Sequence, residues 1–319
     1  MIPEALERWT EAQLRAELRA RAAPDENHIP NPDLENFDSE TLFRVVREKQ
    51  AAIYGGDDRQ EVDIDRVPEA DAVVALFAAA DVIDTGLSTS ILTTQTFGMK
   101  FHLCSSERFW DQPSGGIATG FLVAPDVIAT AGHVLEDIAL ADIRFVFGFK
   151  MVTDTVPPGP IPHSEIYSAT SVIASSNVGD SDWALLRLSR RVIGHVPLRL
   201  RRVAAGKVPD HQPVFVIGHP NGLPTKVAGG ARVRDNAPAA MFRANLDTYG
   251  GNSGSPVINE HSREVEGILV NGVTDFFLIG TGTSACQKSC LCPDTNTGNL
   301  LTDCVGQGCT RVTEFSGLI

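Results

Sequence analysis

Three residues that lie far apart in this sequence have side chains that could act together in nucleophilic catalysis. Ser253 stands in the stretch Asp247 to Pro256, DTYGGNSGSP, whose glycines permit a tight turn that a residue with a Cβ would resist. A serine hydroxyl is a weak nucleophile, so it needs a base within hydrogen-bond reach and a third group that orients the base. His133, in the motif TAGH, and Asp182, in the motif SDW, supply both residue types. The chain order His, Asp, Ser is one of the known orders of such a triad.

Each of these residues also has an ordinary structural explanation when it is taken alone. A Gly-rich turn can hold an incidental Ser, His133 can be a loop residue, and Asp182 can cap a turn. The pattern Gly-x-Ser-x-Gly is itself incomplete, because residue 255 is Ser. Three motifs in the right order, each at the edge of an apolar run, nevertheless favour a triad, since roles and geometry define it rather than any single residue. We therefore predict His133, Asp182 and Ser253 as catalytic residues.

These motifs resemble those of trypsin-like serine peptidases, and GNSGSP is most similar to the bacterial glutamyl-endopeptidase branch. The resemblance covers residues 51 to about 283. It implies an endopeptidase that hydrolyses protein or peptide substrates through an acyl-enzyme, with Ser253 as nucleophile, His133 as base and Asp182 as the orienting acid. By the same resemblance, the backbone N–H groups of Gly251 and Ser253 form the oxyanion hole, and no cofactor or metal is required. The alternative is a catalytically silent binding module on the same fold.

The elements that must position these residues are short β-rich runs separated by turn signals, the pattern of an all-β sandwich or barrel. The strands predicted for a first sheet are Val73 to Phe77, Ser88 to Thr94, Phe121 to Thr130, Ile143 to Phe149 and Ala184 to Leu188. Those predicted for a second sheet are Val214 to Gly218, Ala231 to Val233, Ala240 to Asn245, Pro256 to Asn259, Glu264 to Val270 and Phe276 to Gly280. The pattern alone predicts a mostly β protein. The resemblance implies two six-stranded antiparallel β-barrels, at about 70–195 and 196–283, with the active site between them.

Residues 1–50 show helical rather than β periodicity, which predicts a short N-terminal helical extension. A second helix is expected to begin near Asp38 or Ser39, either of which can cap it. The residues expected on the buried sides of the two helices are Leu6, Trp9, Leu14 and Leu18, and Leu42, Val45 and Val46. The extension is either a helical subdomain packed permanently on the main body or a prosegment. The sequence AIYGGDDR from Ala52 resembles the mature start of glutamyl endopeptidases and keeps the second interpretation, a zymogen, open.

The residues near the predicted specificity pocket give conflicting indications of the residue preferred at P1. Asp247 lies six residues before Ser253, the position that resembles the acidic base of the trypsin specificity pocket, and this favours Arg or Lys at P1. An Asp that begins a Gly-rich turn can equally bond local backbone N–H groups. Thr248 matches the Thr of the glutamyl branch, but Leu269 stands where that branch has a His, and a Leu cannot neutralise a buried carboxylate. Together with Asp247 and Thr248, the residues predicted to bind substrate are Val270, Asn271 and Gly272.

Composition and charge fit a globular protein and exclude some partners. The chain has 319 residues, with 43% hydrophobic and 21% charged residues. Its net charge of −13 would repel phosphate at long range, so neither nucleic acid nor an anionic membrane surface is expected as a partner. Nothing in the sequence indicates an oligomeric state.

Cysteine usage and the N-terminus disagree about the compartment. Cys104 is separated from five other cysteines in the segment 284–319: Cys286, Cys290, Cys292, Cys304 and Cys309. A disulfide-stapled loop is the first interpretation of this Cys-rich C-terminal segment, with metal binding or free thiols as alternatives. Such a loop would suit an extracellular or periplasmic setting. Met1 to Pro24, however, shows no recognisable export signal, which favours the cytoplasm by default.

Overall fold

The structure is a computed structural model that describes residues 4–7, 9, 13–14, 17, 31–38, 41–42, 52–271, 275–282, 285–292 and 306–319. Its α-helical segments with defined bounds are α1 Glu4–Glu7, α2 Phe97–Lys100 and α3 Val134–Asp137. Short 3₁₀ turns lie at Pro68–Ala72, Ala79–Asp81, Leu140–Asp142, His163–Glu165, Val203–Ala205, Pro220–Gly222, Val312–Glu314 and Ser316–Leu318. None of the helices in these ranges is long and apolar enough to span a membrane.

The strands carry most of the structure. In chain order they are β1 Ile53–Tyr54, β2 Arg59–Glu61, β3 Val73–Ala78, β4 Val82–Asp84, β5 Thr89–Leu92, β6 Gln95–Thr96, β7 Pro113–Ser114, β8 Ala118–Ala124, β9 Val127–Thr130, β10 Ile143–Val146, β11 Ile161–Pro162, β12 Ile166–Tyr167, β13 Ala169–Val178, β14 Ser181–Leu188, β15 Pro213–Gly218, β16 Lys226–Asp235, β17 Met241–Ala244, β18 Pro256–Asn259, β19 Val265–Asn271, β20 Phe276–Ile279, β21 Cys286–Ser289, β22 Leu291–Cys292 and β23 Gln307–Arg311. The prediction of a mostly β protein is confirmed.

The N-terminal extension has a small core of its own in the part that the structure describes. Leu6, Leu14, Leu34 and Leu42 are buried together, and Trp9 and Phe37 pack against them. The carboxylate of Asp38 accepts a hydrogen bond from the backbone N–H of Thr41 at 2.6 Å, as expected for a helix cap. The other predicted positions, Leu18, Val45 and Val46, lie outside the described residues.

The first sheet has the order β12-β10-β3-β8-β9-β14-β13, and all its pairings are antiparallel. Its edges, β12 and β13, do not pair with each other, so within this continuously described region the first barrel is an open half-barrel. The predicted strand Phe121 to Thr130 is a hairpin, β8 and β9, that turns at Pro125 and Asp126.

One strand predicted for the first sheet lies elsewhere, and one long strand of this sheet was missed. The run Ser88 to Thr94 belongs instead to a small separate sheet of order β11-β5-β4. Strand β13 was missed, because its sequence ATSVIASSNV is Ser-rich and mostly exposed along a sheet edge, so it lacks apolar alternation.

The second sheet closes into a six-stranded barrel in the order β15-β18-β19-β23-β17-β16, because β16 pairs back with β15. Strand β2 extends it beside β16. The expected end of this barrel at residue 283 is wrong, since β23 lies between β19 and β17 and all five of its residues are buried. Its sequence QGCTR gives no apolar pattern. The predicted strand Phe276 to Gly280 instead pairs with β21 in a separate hairpin.

The two sheets share one core. The largest hydrophobic cluster includes Phe121 and Phe145 of the first sheet together with Phe215, Ile258 and Ile268 of the second. The junction of the two sheets, called the crevice, is therefore a place where residues from both sheets can meet. The double-barrel architecture expected from the resemblance is confirmed, with the difference that one of the two barrels is open.

Candidate active site

Three polar side chains from the two sheets meet at this crevice. His133 Nδ1 lies 2.7 Å from Asp182 Oδ2, and His133 Nε2 lies 3.0 Å from Ser253 Oγ. The backbone N–H of His133 also donates to Asp182 Oδ1 at 3.0 Å. With its two carboxylate oxygens engaged in this way, Asp182 fixes both the backbone and the ring of the histidine. The residues that the sequence predicted as catalytic are therefore brought together.

Local strand pairing positions the histidine and the aspartate. Strands β9 and β14 are neighbours with Thr130 opposite Ala184, so the motif that follows β9 lies beside the start of β14. Gly132 makes the approach possible, because a Cβ there would lie 2.4 Å from the carbonyl oxygen of Ser176 and 3.1 Å from Asp182 Oδ1. The backbone N–H of Asp182 donates to Thr310 Oγ1 at 3.1 Å, so a strand of the second barrel supports the acid.

The electrostatics of the histidine follow from this arrangement. The hydrogen bond to Asp182 raises the pKa of His133 above its usual 6.5, with further contributions from the negative charges of Asp182, Asp137 and Glu136, while burial acts in the opposite direction. A carboxylate that is 8% exposed can stabilise the imidazolium formed when His133 accepts a proton. The pair is therefore suited to general-base chemistry.

Ser253 lies in the serine loop, residues 245–255 between β17 and β18, and the shape of this loop requires its glycines. Gly251 and Gly254 have φ values of +73° and +93°, which L-residues with side chains rarely adopt. A Cβ on Gly254 would lie 2.0 Å from the carbonyl oxygen of Thr119. Neither the Gly251 N–H nor the Ser253 N–H has an acceptor among the described residues. Both predicted oxyanion donors are thus available to a bound group.

Thr119 was missed by the sequence analysis, although it ties the serine loop to the first sheet. Its backbone N–H donates to the carbonyl oxygen of Ser253 at 2.9 Å, and its hydroxyl donates to the carbonyl oxygen of Gly251 at 2.8 Å. The same hydroxyl accepts the backbone N–H of His219 at 3.0 Å. A fully buried Thr within an apolar run was the available signal, because a buried hydroxyl requires partners.

Asp247 has different partners from those that the sequence assigned to it. Its two carboxylate oxygens accept hydrogen bonds from the backbone N–H groups of Tyr54 and Asp58, each at 2.7 Å. It is 4% exposed, and burial raises its pKa to about 7 against the lowering effect of these two hydrogen bonds. Both carboxylate oxygens therefore hold segment 54–58, and a role of Asp247 in the specificity pocket stays a prediction.

The remaining predicted substrate residues are only partly described. Thr248 donates its backbone N–H to the carbonyl oxygen of Ala52 at 3.0 Å, while its buried hydroxyl has no hydrogen-bond partner among the described residues. Val270 is buried in β19 beside the serine loop, where the carbonyl oxygen of Leu269 accepts the backbone N–H of Gly254 at 2.8 Å. Asn271 ends this strand, its side chain lies outside the description, and Gly272 lies outside the described residues.

The tail cysteines are used in structural roles where they are described. Cys104, which is distant in sequence from the other five cysteines, forms a disulfide with Cys286 of the C-terminal segment. Cys292 is also disulfide-bonded, Cys290 is buried, and Cys309 is a buried thiol in the core of the closed barrel. Cys304 lies outside the described residues. A cluster of three or more His, Cys, Asp or Glu side chains that could bind a metal does not occur in the described ranges.

The comparisons with known proteins agree with the geometry. Residues 118–268, just under half of the chain, match the family model of the trypsin-like peptidase domain, and this span contains all three residues of the site. No curated protein matches the sequence.

Two solved structures show partial similarity. The VesB protease of Vibrio cholerae has a TM-score of 0.47 and 12% identity, with 82% of this chain and 66% of that chain covered, so this chain spans just under two thirds of that protein. A Glu endopeptidase in complex with MPD has a TM-score of 0.44 and 17% identity, with 74% of this chain and 92% of that chain covered. At TM-scores below 0.5, neither similarity bears on the activity of this chain.

Proposed function

We propose that this chain, in which residues 118–268 are a trypsin-like peptidase domain, is a serine endopeptidase that hydrolyses protein or peptide substrates through an acyl-enzyme. The observation that carries the proposal is the continuous hydrogen-bonded line from Asp182 through His133 to Ser253, with contacts of 2.7 Å and 3.0 Å. Such a line activates a hydroxyl that would otherwise be a weak nucleophile.

The reaction follows from the atoms in place. Ser253 Oγ forms a bond to the scissile carbonyl carbon while His133 Nε2 accepts its proton, and the carbonyl electron pair becomes an oxyanion. The imidazolium then gives its proton to the leaving amine, the C–N bond breaks, and an ester remains on Ser253. Water repeats these steps on the ester, with His133 again as base, and releases the acid. Asp182 keeps Nδ1 protonated throughout and stabilises the imidazolium.

The oxyanion needs hydrogen-bond donors aimed at the place where negative charge develops. The N–H groups of Gly251 and Ser253, which have no acceptor among the described residues, suit this role. The loss of one such donor typically lowers the rate by about 10²–10³. The serine loop therefore has two functions, since it presents the nucleophile and binds the charge.

Covalent labelling with a fluorophosphonate tests the proposal. The probe phosphonylates only an activated serine, so it is applied to the full-length chain and to a trimmed chain that begins at Ala52. The active form should be labelled once, at Ser253, and Ser253→Ala should abolish the label. Ser164→Ala, at an exposed serine, is the matched control and should label as the unmodified chain does. Labelling that persists in Ser253→Ala would refute the assignment. Absence of label from both the full-length and the trimmed chain would favour a catalytically silent binding module, whereas label on the trimmed chain alone would support the zymogen.

A zymogen form is part of the proposal. Ala52, Ile53 and Tyr54 are buried, and β1 pairs in parallel with β22, so this segment would stay in place after removal of the residues before it. Mass spectrometry of active protein should then show a new terminus near Ala51 to Ile53. A fully active intact chain would contradict maturation by cleavage.

A preference for Arg or Lys at P1 stays a prediction of the sequence. Its basis, the carboxylate of Asp247, is engaged by Tyr54 and Asp58. A peptide library scored by mass spectrometry measures the preference directly. Cleavage confined to Glu or Asp would overturn the prediction in favour of the glutamyl-specific alternative.

A further inference from the structure

The orientation of one peptide group decides whether the proposed oxyanion hole exists. In a trans peptide, the C=O of residue 250 and the N–H of residue 251 point in opposite directions. The carbonyl oxygen of Gly250 accepts the backbone N–H of Asn221 at 2.5 Å. The N–H of Gly251 is therefore directed away from Asn221. A rotation of this peptide would replace the donor with a carbonyl oxygen, which would repel a developing oxyanion.

A single carboxylate oxygen holds both sides of this contact. Asp275 Oδ2 accepts the backbone N–H of Gly250 at 2.8 Å and the side-chain Nδ2 of Asn221 at 2.9 Å. Gly250 and Asn221 are thus linked twice, once directly through the carbonyl of Gly250 and once through Asp275. The two links fix the peptide planes on either side of Gly250. The N–H of Gly251 lies in the second of these planes, so its direction is fixed as well.

The backbone of Asn221 would not hold this position without such contacts. Its φ of 49° and ψ of 33° are left-handed, a conformation that is uncommon for residues other than glycine. Its carbonyl oxygen accepts the hydroxyl of Ser114 at 2.5 Å, so the residue is held from three directions. Residue 251 packs closely against Asn221 and has no room for a side chain, because a Cβ on Gly251 would lie 3.0 Å from the backbone N of Asn221.

The burial of the Asp275 carboxylate is energetically unfavourable for one of its oxygens. Its Oδ1 atom is buried and has no hydrogen-bond partner among the described residues. Burial raises the pKa of Asp275 to about 6, while the hydrogen bonds from Gly250 and Asn221 lower it because they favour the charged carboxylate. Buried and incompletely paired polar groups are rare and call for an explanation. The contacts of Oδ2 supply one, since an ionised acceptor binds two N–H donors more strongly than a neutral acceptor.

We propose that Asp275 is a positioning residue for the oxyanion hole, which orients the Gly250–Gly251 peptide by holding the Gly250 N–H and the Asn221 side chain. Asp275 touches neither the nucleophile nor the scissile bond in this role. It acts through Gly251, whose N–H must face the carbonyl oxygen of the substrate. The inference rests on the proposed serine peptidase activity. Asp275 lies outside the sequence motifs that predicted this activity.

The test measures chemistry at Ser253 rather than folding. In Asp275→Ala, we expect two rate constants to fall by about 10- to 100-fold, that for phosphonylation by a fluorophosphonate and that for acylation by a p-nitrophenyl ester. A misdirected Gly251 N–H can lower the rate by as much as the complete loss of that donor. The KM for the ester should change little. Asp275→Asn keeps one neutral acceptor oxygen and should show a smaller loss. Asp210→Ala, at an exposed aspartate, is the control and should leave both rates unchanged.

Asn221→Gly provides an independent arm. Glycine tolerates the left-handed backbone of residue 221, so this variant removes only the side-chain contact to Asp275. Since both residues act on one peptide, the double variant Asn221→Gly with Asp275→Ala should be no slower than the slower single variant, instead of showing the product of the two losses. If Asp275→Ala does not fold, Asn221→Gly and Asp275→Asn decide the question.

The outcomes separate this inference from the proposed function. Failure of the fluorophosphonate to label the unmodified chain in both its full-length and its trimmed form would overturn the peptidase proposal itself. A labelled unmodified chain, together with variants that label at the unmodified rate, would overturn the role of Asp275 alone. Lower thermal stability with unchanged rate constants per folded molecule would make Asp275 a structural residue and likewise reject the inference.

Discussion

The two sides of the crevice are built in different ways. Asp182 lies in β14 and His133 follows the adjacent strand β9 of the same open sheet, and most of their geometry follows from the pairing of these two strands. The serine loop of the closed barrel is held by residues from several distant segments, including Thr119, Asn221 and Asp275. The base side is therefore a product of neighbouring strands, whereas the nucleophile side depends on the assembly of the whole molecule.

This difference predicts how the two sides respond to substitution. A change on the base side should lower the rate and leave the fold intact, because few other elements depend on it. A change on the nucleophile side should lower stability as well, because the residues that hold the serine loop also join the two sheets and the N-terminal segment. Three substitutions test the contrast.

The largest effect is expected for Asp182→Asn on the base side. An amide can occupy the same space but favours the wrong imidazole tautomer, so kcat should fall by about 10⁴. The reaction needs neutral His133, so activity rises as pH increases through the raised pKa of His133. Because the hydrogen bond to Asp182 is the main cause of that raised pKa, the acid limb of kcat/KM should move to lower pH in the variant.

The pH profile of p-nitrophenyl ester hydrolysis measures both effects, with Asp210→Asn as the exposed control. An acid limb at the same pH in the Asp182→Asn variant would show that another group sets the pKa of His133. A large loss of thermal stability in this variant would break the contrast between the two sides.

An intermediate effect is expected for Arg59→Met on the nucleophile side. The Arg59 side chain is 2% exposed, pairs with Asp57 at 2.7 Å and lies 3.8 Å from the ring centroid of Tyr249, directly before Gly250. Among the described residues, its removal leaves Asp57 with Arg108, at 3.2 Å, as the one charged partner. The free energy of unfolding should therefore fall by about 3 kcal/mol.

Denaturant unfolding measures this loss, and Arg66→Met is the control, because the ion pair between Arg66 and Asp63 is exposed. If Arg59→Met proves as stable as the unmodified chain, the buried cation is not needed to hold segment 52–59 against the serine loop.

The smallest effect of the three is expected for Thr119→Val, at the junction of the two sides. Valine has nearly the shape of threonine but cannot accept the His219 N–H or donate to the carbonyl oxygen of Gly251. Leaving these buried groups unpaired should cost about 1–3 kcal/mol of stability. The rate of phosphonylation should also fall, because the serine loop loses an anchor.

Thr119→Ser is the matched control, since it keeps the hydroxyl and removes only a methyl group. The hydroxyl explanation requires the serine variant to retain the labelling rate that the valine variant loses. Equal losses in both variants would instead assign the effect to packing of the methyl group.

The sequence predicted those parts of the molecule that depend on local pattern. The strands around Val73, Ala184 and Pro256 follow from runs of apolar residues, and the triad follows from motifs in a known order. Strand β23 could not be predicted in this way, because its five residues have no apolar pattern. Its place in the closed barrel is set by pairing with β17 and β19. The disulfide between Cys104 and Cys286 was equally hidden, since the two cysteines are 182 residues apart and no spacing rule connects them.

By itself, the sequence determined which chemistry is available, because a nucleophile, a base and an orienting acid are properties of residue types in recognisable local settings. Only the tertiary structure decided what the other carboxylates do. Asp247 binds the backbone of Tyr54, 193 residues away, and Asp275 binds Gly250 and Asn221. A carboxylate accepts whichever N–H groups the fold brings within about 3 Å, and that choice is made by segments that are remote along the chain.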